Sequence, residues 1–308
     1  MNLITRLRIG AVTLACLSTS AFAAPVVFSY TGAMQSFTAT VAGTYVVTAV
    51  GAQGGHGTIS GMSFVGGRGA SLTGSFDLAA GDTFWLVVGG AGSSFADSYN
   101  GGGGGGSFFV SAGGSPLLVA GGGGGIRAYA SQNGCDALTT SFGGVGSGSS
   151  SSSASACGAK TDDLGLGGDV LAGSWGSAGA GFYGDGANDG TYGQGGKRWA
   201  AGMLGGADGV FNASYCTSVG GFGGGGSGSG CGGGGGGGGY SGGNGGFIAG
   251  GGGSWNTGYD QISVSGVGYG NGMISIDFAG GTVPEPSSLA LLTLALLGAA
   301  ATTQRRRG

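Results

Sequence analysis

The chain has 308 residues, of which 85 are glycine, while Asp, Glu, Lys and Arg together supply only 7%. Glycine is thus about four times its usual share, yet it does not recur strictly at every third position and only four prolines accompany it, which excludes collagen. Between Pro25 and Thr282 five basic residues face twelve aspartates, a net charge of about −7, so nucleic acid and anionic lipid are poor partners for this surface.

At the N-terminus Arg6 and Arg8 precede an apolar run through Ile9, Val12 and Leu14, and Ala21-Phe22-Ala23 sets small residues at alternate positions. Residues 1–24 therefore read as a secretory signal peptide cut by signal peptidase after Ala23 or Ala24, the apolar run being too short to span a bilayer. Cys16 leaves with that peptide, because Thr13 stands where a lipobox has an aliphatic residue. Cys135, Cys157, Cys216 and Cys231 remain, an even number in an oxidising compartment, which predicts two disulfides. Three pairings are open; Cys135 with Cys157 and Cys216 with Cys231 close the smallest loops.

The next stretch alternates with a period of two, the mark of half-buried strands. Phe37, Ala39 and Val41 share one face against Ser36, Thr38 and Thr40; Leu72, Phe76 and Leu78 alternate with Ser71, Thr73, Ser75 and Asp77. Tyr45 to Val50 and Phe84 to Val88 are more continuously apolar and should lie deeper, with a turn at Ala80-Gly81-Asp82. Strand character returns at Ile262 and Val264, and at Ile274, Ile276 and Phe278, so the first and last strands should pair. Residues 25–282 then form one all-β domain, a jelly-roll-like antiparallel sandwich whose intervening 160 or so residues emerge as a single large insertion.

That insertion holds glycine runs at 101–106, 121–125, 223–226, 232–239 and 250–253. Flexible linkers usually look like this, but these runs abut apolar segments such as Phe108-Phe109-Val110 and Pro116-Leu117-Leu118-Val119. Ordering glycine costs more backbone entropy than ordering any other residue, about 1 to 2 kcal/mol each, with no side chain to bury in return. Main-chain hydrogen bonds must compensate, and an inserted bundle of polyglycine II helices, extended and three residues per turn, supplies them by bonding between neighbours.

Phe28-Ser29-Tyr30-Thr31-Gly32, Gly81-Asp82-Thr83 leading into Leu86-Val87-Val88-Gly89-Gly90, and Pro116 to Gly121 follow one another in an order that resembles a known module. Gly221-Phe222-Gly223 through Cys231, then Tyr240-Ser241-Gly242-Gly243-Asn244 and Gly272-Met273-Ile274-Ser275-Ile276, extend the likeness over about residues 26 to 280. It is similar to the glycine-rich domain of the anaplastic lymphoma kinase and leukocyte tyrosine kinase receptors. The resemblance implies a β-sandwich carrying polyglycine helices, and it carries over no function.

Catalytic chemistry is sparse. His56 is the only histidine, which bars a multi-histidine metal site, and it follows Gly54-Gly55 in an ordinary exposed loop. Lys197 after Gly195-Gly196 lacks the following Ser or Thr of a phosphate loop, Arg198 being there instead. Asp185, Asn188 and Asp189 make the best calcium-like cluster, but Ala187 and Gly196 fall where ligands are expected, so no metal or other cofactor is assigned. Glu285 is the sole glutamate, Asp162-Asp163 read as solvated, and Ser149 to Ser153 as a flexible tract, so the chain is expected not to be an enzyme. Tyr183, Tyr192, Trp199, Tyr240 and Trp255 are the candidate binding aromatics.

Residues 283–308 comprise Val283-Pro284-Glu285-Pro286, an uncharged stretch from Leu289 to Ala301, and Arg305-Arg306-Arg307. An apolar helix with a basic end acts as a stop-transfer segment whose arginines stay in the cytoplasm, and Arg6 and Arg8 hold the other end on that side. The three parts in this order resemble the PEP-CTERM sorting signal, which implies recognition of Pro-Glu-Pro by a membrane-embedded exosortase, transient membrane anchoring and removal of the tail, commonly in Gram-negative bacteria. The expectation is an exported structural or adhesive protein of the cell surface or extracellular matrix, with an extracellular polysaccharide or surface protein as partner. A polysaccharide- or protein-recognition module is the alternative, and an extracellular hydrolase the third.

Overall fold

The structure is a computed structural model that describes residues 24–59, 61–94, 99–127, 132–149, 156–162, 164–209, 218–228 and 232–280. The signal peptide, the sorting motif at Val283, Pro284, Glu285 and Pro286 with Arg305, Arg306 and Arg307, the apolar stretch between them, and Cys216 and Cys231 lie outside the described residues.

Two five-stranded antiparallel sheets pack face to face. The first, in order, joins β1 (Val26–Ser29), β14 (Met273–Gly280), β3 (Gly43–Val50), β6 (Gly69–Leu78) and β13 (Tyr259–Gly268). The second joins β12 (Trp255–Asn256), β9 (Pro116–Ala120), β8 (Ser107–Ser111), β7 (Thr83–Val87) and β2 (Gln35–Thr38). Two short pairs are separate from these sheets, β4 (Gly57–Ile59) with β5 (Met62–Phe64), and β10 (Gly144–Val145) with β11 (Gly158–Ala159). The expected pairing of first and last strands is present, Val26 opposite Ile276 and Phe28 opposite Ile274.

Period-two alternation decides which face is wet. Tyr45, Val47, Leu72, Phe76, Ile274 and Ile276 point inward and are buried against Phe84, Leu86, Phe109 and Leu118 of the second sheet. Thr48 and Thr73, opposite each other on the outer face, share a 2.8 Å hydroxyl contact. Near them Thr44 and Tyr259 both donate to Asp77 Oδ1, at 2.7 and 2.8 Å, and these bonds hold its carboxyl below the usual value of 3.8.

The second sheet differs in that its strands β8 and β9 are covered on both faces. Leu86, Phe109 and Leu118 enter the sandwich core, while Val87, Phe108, Val110 and Val119 on the opposite face pack under Phe182, Met203, Phe222 and Tyr240. The glycine region is therefore not one insertion appended to a finished sandwich. It enters from three connections, β3 to β6, β7 to β8 and β9 to β12, and lies as a third layer on the second sheet. The apolar islands within the anticipated insertion are strands β8 and β9 themselves.

Run 232–239 shows how that layer holds together. Gly235 and Gly238 donate to Gly101 and Gly104; Gly236 and Gly239 donate to Ser177 and Ala180; Gly237 and Tyr240 donate to Gly250 and Gly253. Every third residue thus returns to the same neighbouring segment, three residues per turn with three donor directions, and none of 232–239 has a positive φ. This is the geometry of polyglycine II. Carbonyls are used equally: Gly238 accepts from Gly122, Gly236 from Gly226 and Gly237 from Gly243, all at 2.8 Å. Where the runs meet ordinary strands, buried serines finish the bonding; Ser107 Oγ donates to the Val50 carbonyl at 2.6 Å and accepts from Gly89 N–H at 3.0 Å.

Close approach leaves no room for side chains. A Cβ at Gly237 would overlap the Gly122 carbonyl, and one at Gly236 that of Gly243. Gly237→Ala should therefore cost about 3 kcal/mol or more of unfolding free energy, whereas Gly158→Ala, open within 4 Å, should stay within about 0.5 kcal/mol; thermal melts of the two variants compare them directly. Asp77 gives a pH signature. Its folded pKa lies below its unfolded one, so its contribution is complete above about pH 4 and disappears as pH falls through the folded value. Asp77→Asn should flatten that acid limb in melts recorded between about pH 2 and 5.

Candidate functional site

Cys135 and Cys157 form the first of the anticipated disulfides, with an S–S distance of 2.02 Å and Cα atoms 5.7 Å apart. Cys135 is built into the glycine layer: its N–H donates to the Ala249 carbonyl and its own carbonyl accepts from Gly124, both at 2.9 Å. The bond so ties the segment carrying Cys157 to the bundle, and it forms one wall of a cleft of about 590 Å³.

Arg68, Asn133, Asp136 and Ser265 line this cleft, with Val65 and Leu138 at its margins. Several of their polar atoms are spent on holding the walls. Asp136 Oδ1 accepts from the Arg68 N–H at 2.7 Å, Asn133 Oδ1 accepts from Val65 N–H at 3.0 Å, and Ser265 Oγ donates to the Ala137 carbonyl at 2.6 Å. The Arg68 guanidinium lies 4.3 Å from the Tyr269 ring centroid, a cation–π contact on an aromatic that is 61% exposed. An arginine, a carboxylate and an amide side chain lining one cleft suit a polar, hydroxylated ligand. Arg68 and Tyr269 were not among the sequence candidates; they stand 201 positions apart in sequence and meet only because β6 pairs with β13.

The candidate aromatics divide into two groups. Tyr240 stacks on Trp255 at 4.7 Å and 15°, and Trp199 stacks on Phe182 at 5.4 Å and 20°, together roofing the apolar face of the second sheet. Tyr240 is only 9% exposed, and burial, with Tyr183 as a smaller cause, pushes its hydroxyl pKa up. Tyr183 stays exposed at the rim with its edge toward Phe182, and Tyr192 is also exposed. The sequence signal for the roof was present in TFWLV, SFFVS and PLLVA, continuous apolar runs of the kind that strands covered on both faces carry.

The calcium-like cluster works as a set of loop fasteners. Asp185 Oδ1 accepts from Arg198 N–H, Asn188 Oδ1 from Gly195 N–H and Asp189 Oδ2 from Gly176 N–H, at 2.9 to 3.0 Å. The other Asp185 oxygen faces Lys197 Nζ at 3.8 Å. His56 is exposed, and its Nδ1 lies 3.1 Å from Ser94 Oγ. Asp162 is exposed, and Asp163 lies outside the described residues.

Residues 282–307 match the family model of the PEP-CTERM protein-sorting motif. The motif implies an exported protein, processed by exosortase, that is delivered to the cell envelope or surface. No curated protein matches the chain.

The disulfide offers a direct test of how far the cleft wall depends on it. Closing a loop of 22 residues contributes about 3 kcal/mol in the chain-entropy picture, so Cys157→Ala should lower the unfolding free energy by that order, as measured by denaturant titration of the exported protein.

Proposed function

We propose that the exported protein is a structural or adhesive component of the cell surface or extracellular matrix, and that it acts without catalysis. The observation that carries the reading is the pairing of a surface-sorting motif with a layer whose cohesion is main chain to main chain. Such a layer has few side chains to offer a reaction and presents little charge, Asp, Glu, Lys and Arg together supplying only 7% of the chain. What it does provide is a thin, dense, disulfide-tied slab, suited to a part that must persist outside the cell. A Gram-negative envelope fits the sorting motif.

One observation favours a recognition role beside this one: the cleft of about 590 Å³ lined by Arg68, Asn133, Asp136 and Ser265, whose polar groups suit a saccharide of the surrounding matrix. Two experiments separate these readings. Deleting the gene should reduce biofilm formation or surface attachment several-fold, with mass spectrometry showing that the surface-bound form lacks Arg305, Arg306 and Arg307; unchanged attachment sinks the structural reading. Loss of glycan-array binding in Arg68→Ala at unchanged thermal stability would favour recognition.

A further inference from the structure

At one end of the sandwich a groove of about 360 Å³ opens between the two sheets. Its floor is a chain of rings, Phe37 against Tyr45 at 5.8 Å and Tyr45 against Phe278 at 5.1 Å, and its walls are Val26, Val41 and Ile276. The lining carries no charged side chain. Two of its polar atoms are already bonded within the wall: Tyr45 Oη donates to the Val41 carbonyl at 2.8 Å, and Thr38 Oγ1 lies 3.2 Å from Thr83 Oγ1. A ligand therefore meets hydrocarbon and aromatic faces, which rules out an ionic or heavily hydroxylated occupant for the interior. The volume lies at the lower end of the ligand-pocket range of about 300–1,000 Å³.

The position of the groove names the occupant. Antiparallel pairing of β1 with β14 sets Val26, near the start of the exported chain, opposite Ile276, so both ends of the domain leave beside the groove. Only residues 281–288 separate β14 from the apolar stretch that begins at Leu289, a connection of at most about 29 Å when extended. A domain held on so short a tether presents this end, with Val26, Val27 and Val41 each about half exposed, to the bilayer surface.

We propose that this groove takes an aliphatic chain of a membrane lipid and seats the end of the sandwich on the exporting membrane until the sorting step. The proposal rests on the exported-protein reading for the position of the apolar tail, and on its own geometry for the ligand. The test places p-benzoylphenylalanine at Val41 in the full chain, Val41→p-benzoylphenylalanine, in exporting cells, with Ile262→p-benzoylphenylalanine on β13, the edge strand of the first sheet away from β1, as control. Both positions are exposed, at 54% and 62%, so the fold tolerates the probe. After irradiation, adducts of phospholipid mass should be at least tenfold more abundant at position 41 than at 262. Absent adducts, equal adducts at both positions, or a position-41 link to residues 289–301 or to a second copy of the chain would each overturn it. The same spectra read the C-terminus: unclipped precursor without lipid adducts at 41, in cells that also hold clipped protein, refutes the groove alone, and lipid adducts in cells where the arginine tail is never removed refute the sorting step alone.

Discussion

Main-chain hydrogen bonds between extended glycine segments are the constraint to which the rest of the molecule answers. Each such bond contributes on the order of 1 kcal/mol net, while a buried N–H or C=O left alone costs about 1–3 kcal/mol. The layer is therefore viable only if almost every group finds a partner. The threefold repeat in 232–239 achieves this by sending successive amides in three directions, to the segments around 101–104, 177–180 and 250–253. A Cβ anywhere from Gly233 to Gly239 would sit on a neighbouring carbonyl, so the abundance of glycine is a packing requirement of this layer.

A layer without side chains cannot bury apolar area by itself, and the second sheet depends on it being covered. The aromatic groups at Phe182, Trp199 and Tyr240 resolve this: they project from the glycine region and, with Trp255 of β12, fill the space over Phe108, Val110 and Val119. Sandwich, roof and bundle are thus mutually dependent. The Cys135–Cys157 bond adds a covalent tie at the margin, where the walls of the polar cleft are otherwise held by single side-chain-to-backbone bonds.

Pairing of the first and last strands has a consequence for export. The described chain begins and ends at one end of the domain, beside an apolar groove, while the polar cleft at Arg68 and Ser265 lies by β13, at the opposite edge of the same sheet. Strand order alone sets the groove and the cleft at opposite edges of that sheet.

Much of this was legible in the residues. Alternation at Ser71–Leu78 and Ile274–Phe278 gave the strands and their wet faces, the glycine runs required a backbone-bonded layer, and the C-terminal order of Pro-Glu-Pro, apolar stretch and arginines gave the sorting motif. Those features are local, since period, composition and short spacing act between near neighbours. Tertiary structure alone decided that Tyr240, Trp199 and Trp255 serve as a roof, that Asp185, Asn188 and Asp189 fasten loops, and that Arg68 meets Tyr269. Each of these depends on which distant segments pair, and a polyglycine helix, having no side chains, carries no code for its neighbours; the register comes from the apolar islands and serines at its ends.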